Sequence, residues 1–334
     1  MGIAEKIGQY RSVAVAGLAK NVGKTVTLNY LLRESYARGL KIGVTSIGID
    51  GETTDQVTGT GKPEITIYRD MLFATSELHY VNRCLQSEIL DLGQRQTSLG
   101  KVVTARALSH GRVLLSGPAD TVSLKQTIAN MQSKGAETVL VDGAISRLSL
   151  ASPAVTDAMI LATGAALSPD ISGIVRKTKF VCSLTQLPEV EETLAGRLAD
   201  IQSGVWEVDD EGKVFDLGVK TALELETLKE RLFSRGTRLY TPGIITERML
   251  KFLSSQKEVK KIELIIKDFT RMFADAATMR SFIGRGGRIR LLRRSPLIGV
   301  TVNPYNPAGY SVDKDRLTDA LQKELPVAVE YIRP

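Results

Sequence analysis

Cysteine, histidine and aromatic residues are scarce in this 334-residue sequence, which has two cysteines, two histidines and 5% aromatic residues. The cysteines, Cys84 and Cys182, lie far apart in apolar-rich segments, so we expect reduced core residues rather than a disulfide. With only His79 and His110, the sequence has no HExxH motif and no histidine-rich metal site. A GxSxG elbow and a CxxC pair are also absent. These absences argue against Ser–His hydrolysis and zinc chemistry.

Long apolar runs are missing as well. No run approaches the ~20 residues needed to span a bilayer, and the N-terminal residues lack the apolar core of a signal peptide. We therefore expect no membrane association and a cytoplasmic location. The composition, 43% hydrophobic and 24% charged, is that of a globular protein and excludes intrinsic disorder. The length exceeds roughly 250–300 residues, the limit of one compact core, which predicts one large or two joined units.

The net charge of +7 is concentrated in one segment. Lysine and arginine number 44 against 37 acidic residues, and the stretch 280–294 has several arginines and no acid. The arginines of this stretch are Arg280, Arg285, Arg288, Arg290, Arg293 and Arg294. One interpretation is an edge strand whose arginines face water, and another is a patch for an acidic partner or a phosphate. Because aromatic residues are absent from 283–294 and the rest of the chain is nearly balanced, nucleic acid is not the expected partner.

Strands and helices alternate along the first half of the sequence. A buried strand is predicted at 13–16, a helix at 24–38 that ends at Gly39, and a second strand at 41–47. Apolar residues at helical spacing predict a mostly helical stretch over 64–92. Further strands are predicted at 113–116, 138–141 and 158–162, and a further helix at 121–133. Short apolar strands separated by helices predict an α/β fold, a mostly parallel sheet covered by helices on both faces.

The segment AGLAKNVGKT, residues 16–25, carries the strongest chemical signal. It follows a predicted strand and opens a predicted helix, which is the context of a phosphate-binding loop. Backbone amides at such a helix start point at phosphates, Gly23 allows close approach, Lys24 reaches the terminal phosphates and Thr25 is a ligand for Mg²⁺. Five residues rather than four separate Gly17 from Gly23. The other residues expected to contact the nucleotide are Asn21, Val22 and Val26.

Two aspartates follow predicted strands. Asp142 ends the strand 138–141 and is followed by glycine, as the acidic partner of nucleotide-bound Mg²⁺ would be. Asp50 lies beyond the strand after the loop helix and is a second candidate for Mg²⁺ or water positioning, with Glu52 behind it. Each also fits an ordinary strand-to-turn junction, an interpretation that has equal weight for Asp50. No guanine-reading [NT]KxD motif follows a strand, so ATP is expected rather than GTP.

The loop spacing resembles that of dethiobiotin synthetase and its relatives among the dimerising P-loop ATPases. The signature lysine of some members would fall at Ala19, so we assign no such role to Lys20, which we expect to be a solvated loop lysine. The segment V-D-G-A at 141–144 resembles the corresponding segment of dethiobiotin synthetase. The resemblance implies a P-loop NTPase domain, ATP and Mg²⁺ as cofactors, and a homodimer among the expected states.

Beyond about residue 200 the pattern changes, and a domain boundary is expected near residue 202. Residues 1–202 are predicted to be the P-loop nucleotide-binding domain. Residues 203–334 are predicted to be a C-terminal α/β region, either a second unit or a continuation of the same sheet. A hairpin is expected at 205–217. The remaining predicted elements are helices at 222–233, 244–254, 270–282 and 313–323 and strands at 237–240, 261–266, 288–292, 297–302 and 327–331.

Two longer stretches, 142–165 and 300–307, resemble proteins encoded beside adenosylcobalamin-dependent aminomutases. These include the ATP-binding reactivase subunit of lysine 5,6-aminomutase. The resemblance implies a chaperone-like subunit that uses ATP to release damaged cobalamin from the mutase, acting with a second, MutS-like ATPase subunit. A dethiobiotin-synthetase-like ligase or kinase that phosphorylates a small carboxylate is the alternative. A nucleic-acid-associated ATPase ranks last, since only the pI of about 9.3 and the arginines favour it.

Overall fold

The computed structural model describes residues 2–48, 64–143, 152–153, 155–219, 224–225, 228 and 232–333. Its contacts divide the chain into two compact units, one formed by residues 1–179 and 296–334 and the other by residues 180–295. This division differs from the boundary predicted near residue 202. The second unit is inserted, and the C-terminal residues return to the first unit. The sequence does not reveal this insertion, because the C-terminal residues join the first unit through strand pairing between distant segments.

Sixteen strands lie in the described residues. Those of the first half are β1 (Ser12–Gly17), β2 (Ile42–Ser46), β3 (Ile65–Ile67), β4 (Leu72–Ser76), β5 (Ser87–Thr97), β6 (Gly100–Ala107), β7 (Gly111–Val113), β8 (Thr138–Gly143) and β9 (Ala158–Gly164). The others are β10 (Trp206–Val208), β11 (Val214–Asp216), β12 (Arg238–Thr241), β13 (Glu263–Ile266), β14 (Arg288–Leu291), β15 (Leu297–Asn303) and β16 (Ala328–Tyr331).

The same residues form nine α-helices. They are α1 (Ile3–Lys6), α2 (Lys24–Ala37), α3 (Glu77–Val81), α4 (Thr121–Ser133), α5 (Ile171–Thr185), α6 (Glu192–Leu198), α7 (Glu247–Ser254), α8 (Ala276–Gly284) and α9 (Lys314–Glu324). Among the described residues, no helix is long and apolar enough to cross a membrane.

The first unit is built on a nine-stranded sheet with the order β16-β15-β9-β1-β8-β2-β4-β6-β5. The seven strands from β16 to β4 are parallel, and β6 and β5 add an antiparallel edge. The expected α/β class with a large, mostly parallel sheet flanked by helices is therefore confirmed. The strand that precedes the glycine-rich loop, β1, lies near the centre, between β8 and β9.

Both faces of this sheet are covered, as its side-chain alternation shows. Val13 and Val15 of β1 pack with Leu28 and Leu31 of α2 on one face. On the other face, Val139 and Val141 of β8 pack with side chains of α4. A strand covered on both sides has no polar face, which is why β1 and β9 are buried along their whole length.

The helix predicted over 64–92 is wrong. This stretch holds β3, β4, the five-residue helix α3 and the start of β5. Every residue of β4 is buried, so it has no polar face, and the register of β5 shifts after Ile89. Apolar residues in such strands fall by chance at helical spacing, and periodicity alone does not separate the two cases. The strand predicted at 113–116 is also displaced, because β7 ends at Val113.

The second unit contains a five-stranded sheet with the order β11-β10-β12-β13-β14. The strands β12, β13 and β14 are parallel, and β10 and β11 form the antiparallel hairpin expected at 205–217. Gly212, with φ of +77°, makes its turn. The helix predicted at 222–233 falls largely outside the described residues.

Part of the arginine-rich segment has a structural role in this unit. The side chain of Glu263, buried on β13, lies 2.9 Å from that of Arg290 and 3.3 Å from that of Arg288 on the neighbouring strand β14. Arg294 pairs with Glu189 at 3.7 Å. The segment 288–291 is an edge strand, as one interpretation predicted, and these three arginines have acidic partners within the same unit.

Candidate functional site

The glycine-rich loop, residues 18–23, connects the carboxyl end of β1 to the start of α2. From β1 the chain crosses through α2 to β2 on one side, and β9 lies on the other side. A central strand with connections leaving in opposite directions creates a crevice at the carboxyl ends of the strands, where α/β proteins bind ligands. The residues that end β1, β8, β9 and β15 at this edge are Gly17, Gly143, Gly164 and Asn303.

The backbone of the loop requires residues that are small or that adopt the left-handed region of φ and ψ. Asn21 and Gly23 both have positive φ, +60° and +91°. A Cβ atom on Gly17 would lie 2.7 Å from Val22 and 2.8 Å from Lys24. A side chain at Gly17 would therefore collide with the loop that curls over it, so the conformation of this turn depends on both glycines.

The start of α2 is left open to an anion. Its N-cap is Gly23, which has no side chain to cap the helix, and its first turn contains no acid. Asp120, Asp275 and Asp313 cap α4, α8 and α9 by contrast. The amide of Thr27 bonds to Gly23 O at 2.9 Å, so the amides before it, at 24–26, have no intrahelical acceptor. Together with the helix dipole they form a positive, donor-rich position that suits a phosphate.

Lys24 lies across the carboxyl end of β8. Its Nζ atom donates to the carbonyl oxygen of Gly143, 3.1 Å away. Gly143 lies beside Ala16 in the sheet, and Asp142 lies beside Val15. Because neighbours in a parallel pair share a face, the side chain of Asp142 is on the side of the sheet that α2 covers. The lysine, the helix start and the strand-end aspartate predicted from the sequence thus lie together.

The structure also places most of the other residues that the sequence predicted for the site. Thr25 and Val26 are half-buried in the first turn of α2, and Val22, in the loop itself, is buried. Lys20 is exposed. Asp50 and Glu52 lie outside the described residues. Ser46, which ends β2, is paired in register with Asp142, so that strand ends beside the predicted metal ligand.

Asn303 is a site residue that the sequence motifs do not reveal. Its Nδ2 atom donates to the carbonyl oxygen of Asn21 at 2.9 Å, and a Cβ atom on Gly23 would lie 3.0 Å from its side chain. The carbonyl oxygen of Asn303 accepts from the amide of Ala165 at 2.9 Å. The stretch 300–307 was singled out by resemblance, but its contact with the loop requires β15 to pair with β9, which no local pattern predicts.

The residues present fit Mg²⁺ bound together with a nucleotide. Within the described ranges, no group of three or more His, Cys, Asp or Glu side chains forms a metal cage. Magnesium is commonly held by one or two protein oxygens together with substrate phosphates rather than by an all-protein cage. A hydroxyl from Thr25 and a carboxylate from Asp142 are the kind of donors that this arrangement uses.

Comparison with protein-family models, with curated proteins and with solved structures gives no match to this chain.

Proposed function

We propose that this chain is a P-loop NTPase that binds Mg-ATP at residues 17–26. The observation that carries the proposal is the convergence of three groups at one edge of the sheet. These are the uncapped start of α2, Lys24 bonded to Gly143 O at 3.1 Å, and Asp142 one residue before that carbonyl. The sequence motif, the sheet order and the positive φ of Asn21 and Gly23 in the loop all support the same site.

In this proposal each residue has one role. The amides at 24–26 donate to phosphate oxygens, and Lys24 exchanges the Gly143 carbonyl for the terminal phosphates. Thr25 and Asp142 hold Mg²⁺, which neutralises phosphate charge when it is bound. Asp50 is proposed, from its place after β2 in the sequence, to couple the terminal phosphate to conformational change.

We further propose that the ATP site serves a reactivase of an adenosylcobalamin-dependent aminomutase such as lysine 5,6-aminomutase. The support is the resemblance of segments 142–165 and 300–307, and the second segment includes Asn303, which bonds to the loop. In this role ATP would drive a conformational change that loosens the mutase, together with a MutS-like second subunit. A homodimer of this chain is compatible with the proposal.

The test is ATP turnover by the purified chain, alone and with an aminomutase and its MutS-like partner. We expect stimulation by these proteins, and we expect it to be lost in Lys24→Ala. Lys20→Ala is the matched control, because it removes an exposed lysine from the same loop. Turnover that responds only to a small carboxylate would replace the reactivase by the ligase. Unchanged ATP affinity in Lys24→Ala would overturn the site itself.

A further inference from the structure

The second unit has an exposed surface at the carboxyl edge of its parallel strands, and the proposed nucleotide site does not use it. Residues 242–246 follow β12 and residues 267–275 follow β13. Ile245 and Met272 form a parallel bridge between these two segments. The Ile245 amide donates to Arg271 O at 2.8 Å, and the Phe273 amide donates to Ile245 O at 2.9 Å. Backbone bonds therefore hold the two segments side by side.

Two large apolar side chains lie on the outer side of these segments. Ile245 and Met272, the bridged pair, are buried, whereas the residues beside them, Ile244 and Phe273, are 48% and 65% exposed. Because consecutive side chains of paired segments point to opposite sides, Ile244 and Phe273 share the side that faces away from the core. Adjoining exposed apolar residues, one of them aromatic, are typical of protein interfaces.

Three cationic side chains belong to the same edge. Lys267 and Arg293 follow the neighbouring strands β13 and β14, and the Arg293 amide donates to Lys267 O at 3.3 Å. Arg271 lies two residues before Phe273 and is half-buried. Within the described part of the chain, none of these three side chains forms an ion pair.

The acidic side chains of this edge are already engaged. Asp268 is buried and accepts from the Thr270 amide at 2.9 Å, and Asp275 accepts from the Thr278 amide at 2.7 Å. Glu247 pairs with Lys251 at 3.5 Å. The whole stretch 244–295 contains 13 lysines and arginines against 5 acidic residues. The positive charge of the edge is therefore not neutralised by the residues around it.

We infer that this edge surface, formed by Ile244, Lys267, Arg271, Phe273 and Arg293, docks an acidic protein partner. The inference rests on the proposed function, in which the chain acts through contacts with an aminomutase and a MutS-like subunit. Protein interfaces combine a buried aromatic anchor with charges that are complementary across the contact. Phe273 is the anchor and enters an apolar pocket of the partner, and the three cations face carboxylates around that pocket.

The experiment measures binding of the immobilised full chain to the purified aminomutase and, separately, to its MutS-like partner by biolayer interferometry. We expect at least one of the two proteins to bind. Binding should weaken about tenfold between about 50 mM and about 300 mM NaCl, because salt screens charges at the rim of an interface. Phe273→Ala should weaken binding at least about tenfold, since it removes the anchor. Tyr36→Ala is its matched control, because it removes an exposed aromatic side chain from the first unit.

A pair of double variants tests the cations. Lys267→Gln/Arg293→Gln should weaken binding and make it less sensitive to salt. Lys257→Gln/Lys260→Gln removes two exposed lysines between α7 and β13, at the opposite edge of the same sheet, and should leave binding unchanged. Both double variants lower the net charge by the same amount, so a difference between them reports the position of the charge.

Four results would overturn the inference. If neither protein binds the wild-type chain, the docking surface and the reactivase role both fall, and ATP binding by the same preparation shows whether the nucleotide site stands. If the proteins bind and no edge variant weakens binding, the surface is wrong and the reactivase role stands. Self-association of the chain that Phe273→Ala abolishes would mean that a second copy covers the surface. Binding of single-stranded DNA that Lys267→Gln/Arg293→Gln abolishes would assign the surface to nucleic acid.

Discussion

The side-chain amide of Asn303 donates to the backbone carbonyl of Asn21 at 2.9 Å, although 282 residues separate the two in sequence. Asn303 ends β15, and Asn21 occupies the left-handed region in the middle of the glycine-rich loop. The bond therefore fixes the loop conformation from the neighbouring part of the sheet. The shape of the proposed phosphate site depends on a strand near the C-terminus as well as on the motif itself.

Replacing Asn303 tests this dependence. Asn303→Ala removes the bond to Asn21 and leaves the motif residues in place. Because one hydrogen bond contributes a net 0.5–1.5 kcal/mol, we expect ATP affinity to fall by about two- to tenfold. Titration with a fluorescent ATP analogue measures the loss. An unchanged affinity, with the fold intact by circular dichroism, would show that β15 does not shape the loop.

Gly23 and Gly39 form a matched pair for a second prediction. Both have positive φ, +91° and +67°, but a Cβ atom on Gly23 would crowd Asn303 whereas one on Gly39 would meet nothing within 4 Å. Alanine at either position should lower the free energy of unfolding by about 1 kcal/mol through backbone strain. We expect Gly23→Ala alone to weaken nucleotide binding, as measured by the same titration. Equal weakening by Gly39→Ala would mean that the loss reflects stability rather than the site.

Much of the first unit was predictable from the sequence, because the patterns that identify its strands and helices are local. The strands β1, β2, β8 and β9 and the helices α2 and α4 match their predicted ranges within about two residues. The glycine-rich turn after β1 cannot continue the strand, so the helical pattern that follows it begins at Lys24. Asp142 was predictable as a candidate site residue because an apolar strand ends there in Asp-Gly. Each of these inferences needs only a window of adjacent residues.

The rest depends on contacts between distant segments. The insertion of residues 180–295 becomes visible only when β15 pairs with β9. The buried partner of Arg288 and Arg290 is Glu263, on a different strand, so charge along the sequence did not predict how they are used. The shift in register after Ile89 likewise hides β5, because a bulge breaks the alternation that identifies a strand.

Asp142 gives a prediction about magnesium. If its carboxylate supports Mg²⁺ as proposed, Asp142→Asn should raise the Mg²⁺ concentration needed for half-maximal ATP turnover about tenfold or more, since a charged ligand becomes neutral. ATP binding without Mg²⁺ should change little, because Lys24 and the amides of α2 remain. A metal titration at fixed ATP separates these effects. An unchanged magnesium requirement would remove Asp142 from the metal site.

Asp170 gives a prediction about acid stability. It precedes α5, accepts from the Ser172 hydroxyl at 2.5 Å and from the Gly173 amide at 2.6 Å, and these bonds lower its pKa to about 2, the hydroxyl bond having the largest effect. A carboxyl whose pKa is lowered by folding stabilises the protein above its unfolded pKa of about 3.9 and loses that contribution as the pH falls towards 2. Wild type should therefore melt above Asp170→Asn at pH 6, and the difference should shrink as the pH falls from about 4 towards 2. Melting curves across this range test it, and a difference as large at pH 2 as at pH 6 would contradict it.

Thr27 and Thr301 provide the last prediction. Their hydroxyl oxygens, both buried, lie 2.7 Å apart and join α2 to β15. The Thr27 hydroxyl also donates to Gly23 O at 3.1 Å, so its single hydrogen is used there and Thr301 must donate to Thr27. Thr27→Val leaves the Thr301 donor buried and unpaired, whereas Thr301→Val leaves no donor unpaired.

The two single variants should therefore differ in cost. We expect Thr27→Val to lower the free energy of unfolding by about 1–3 kcal/mol and Thr301→Val by about 0.5–1.5 kcal/mol. The double variant should cost less than the sum of the two single variants, because it removes the unpaired hydroxyl along with its acceptor. Urea unfolding of the four proteins measures the cycle. Equal and additive costs would show that the two hydroxyls share no bond that contributes to stability.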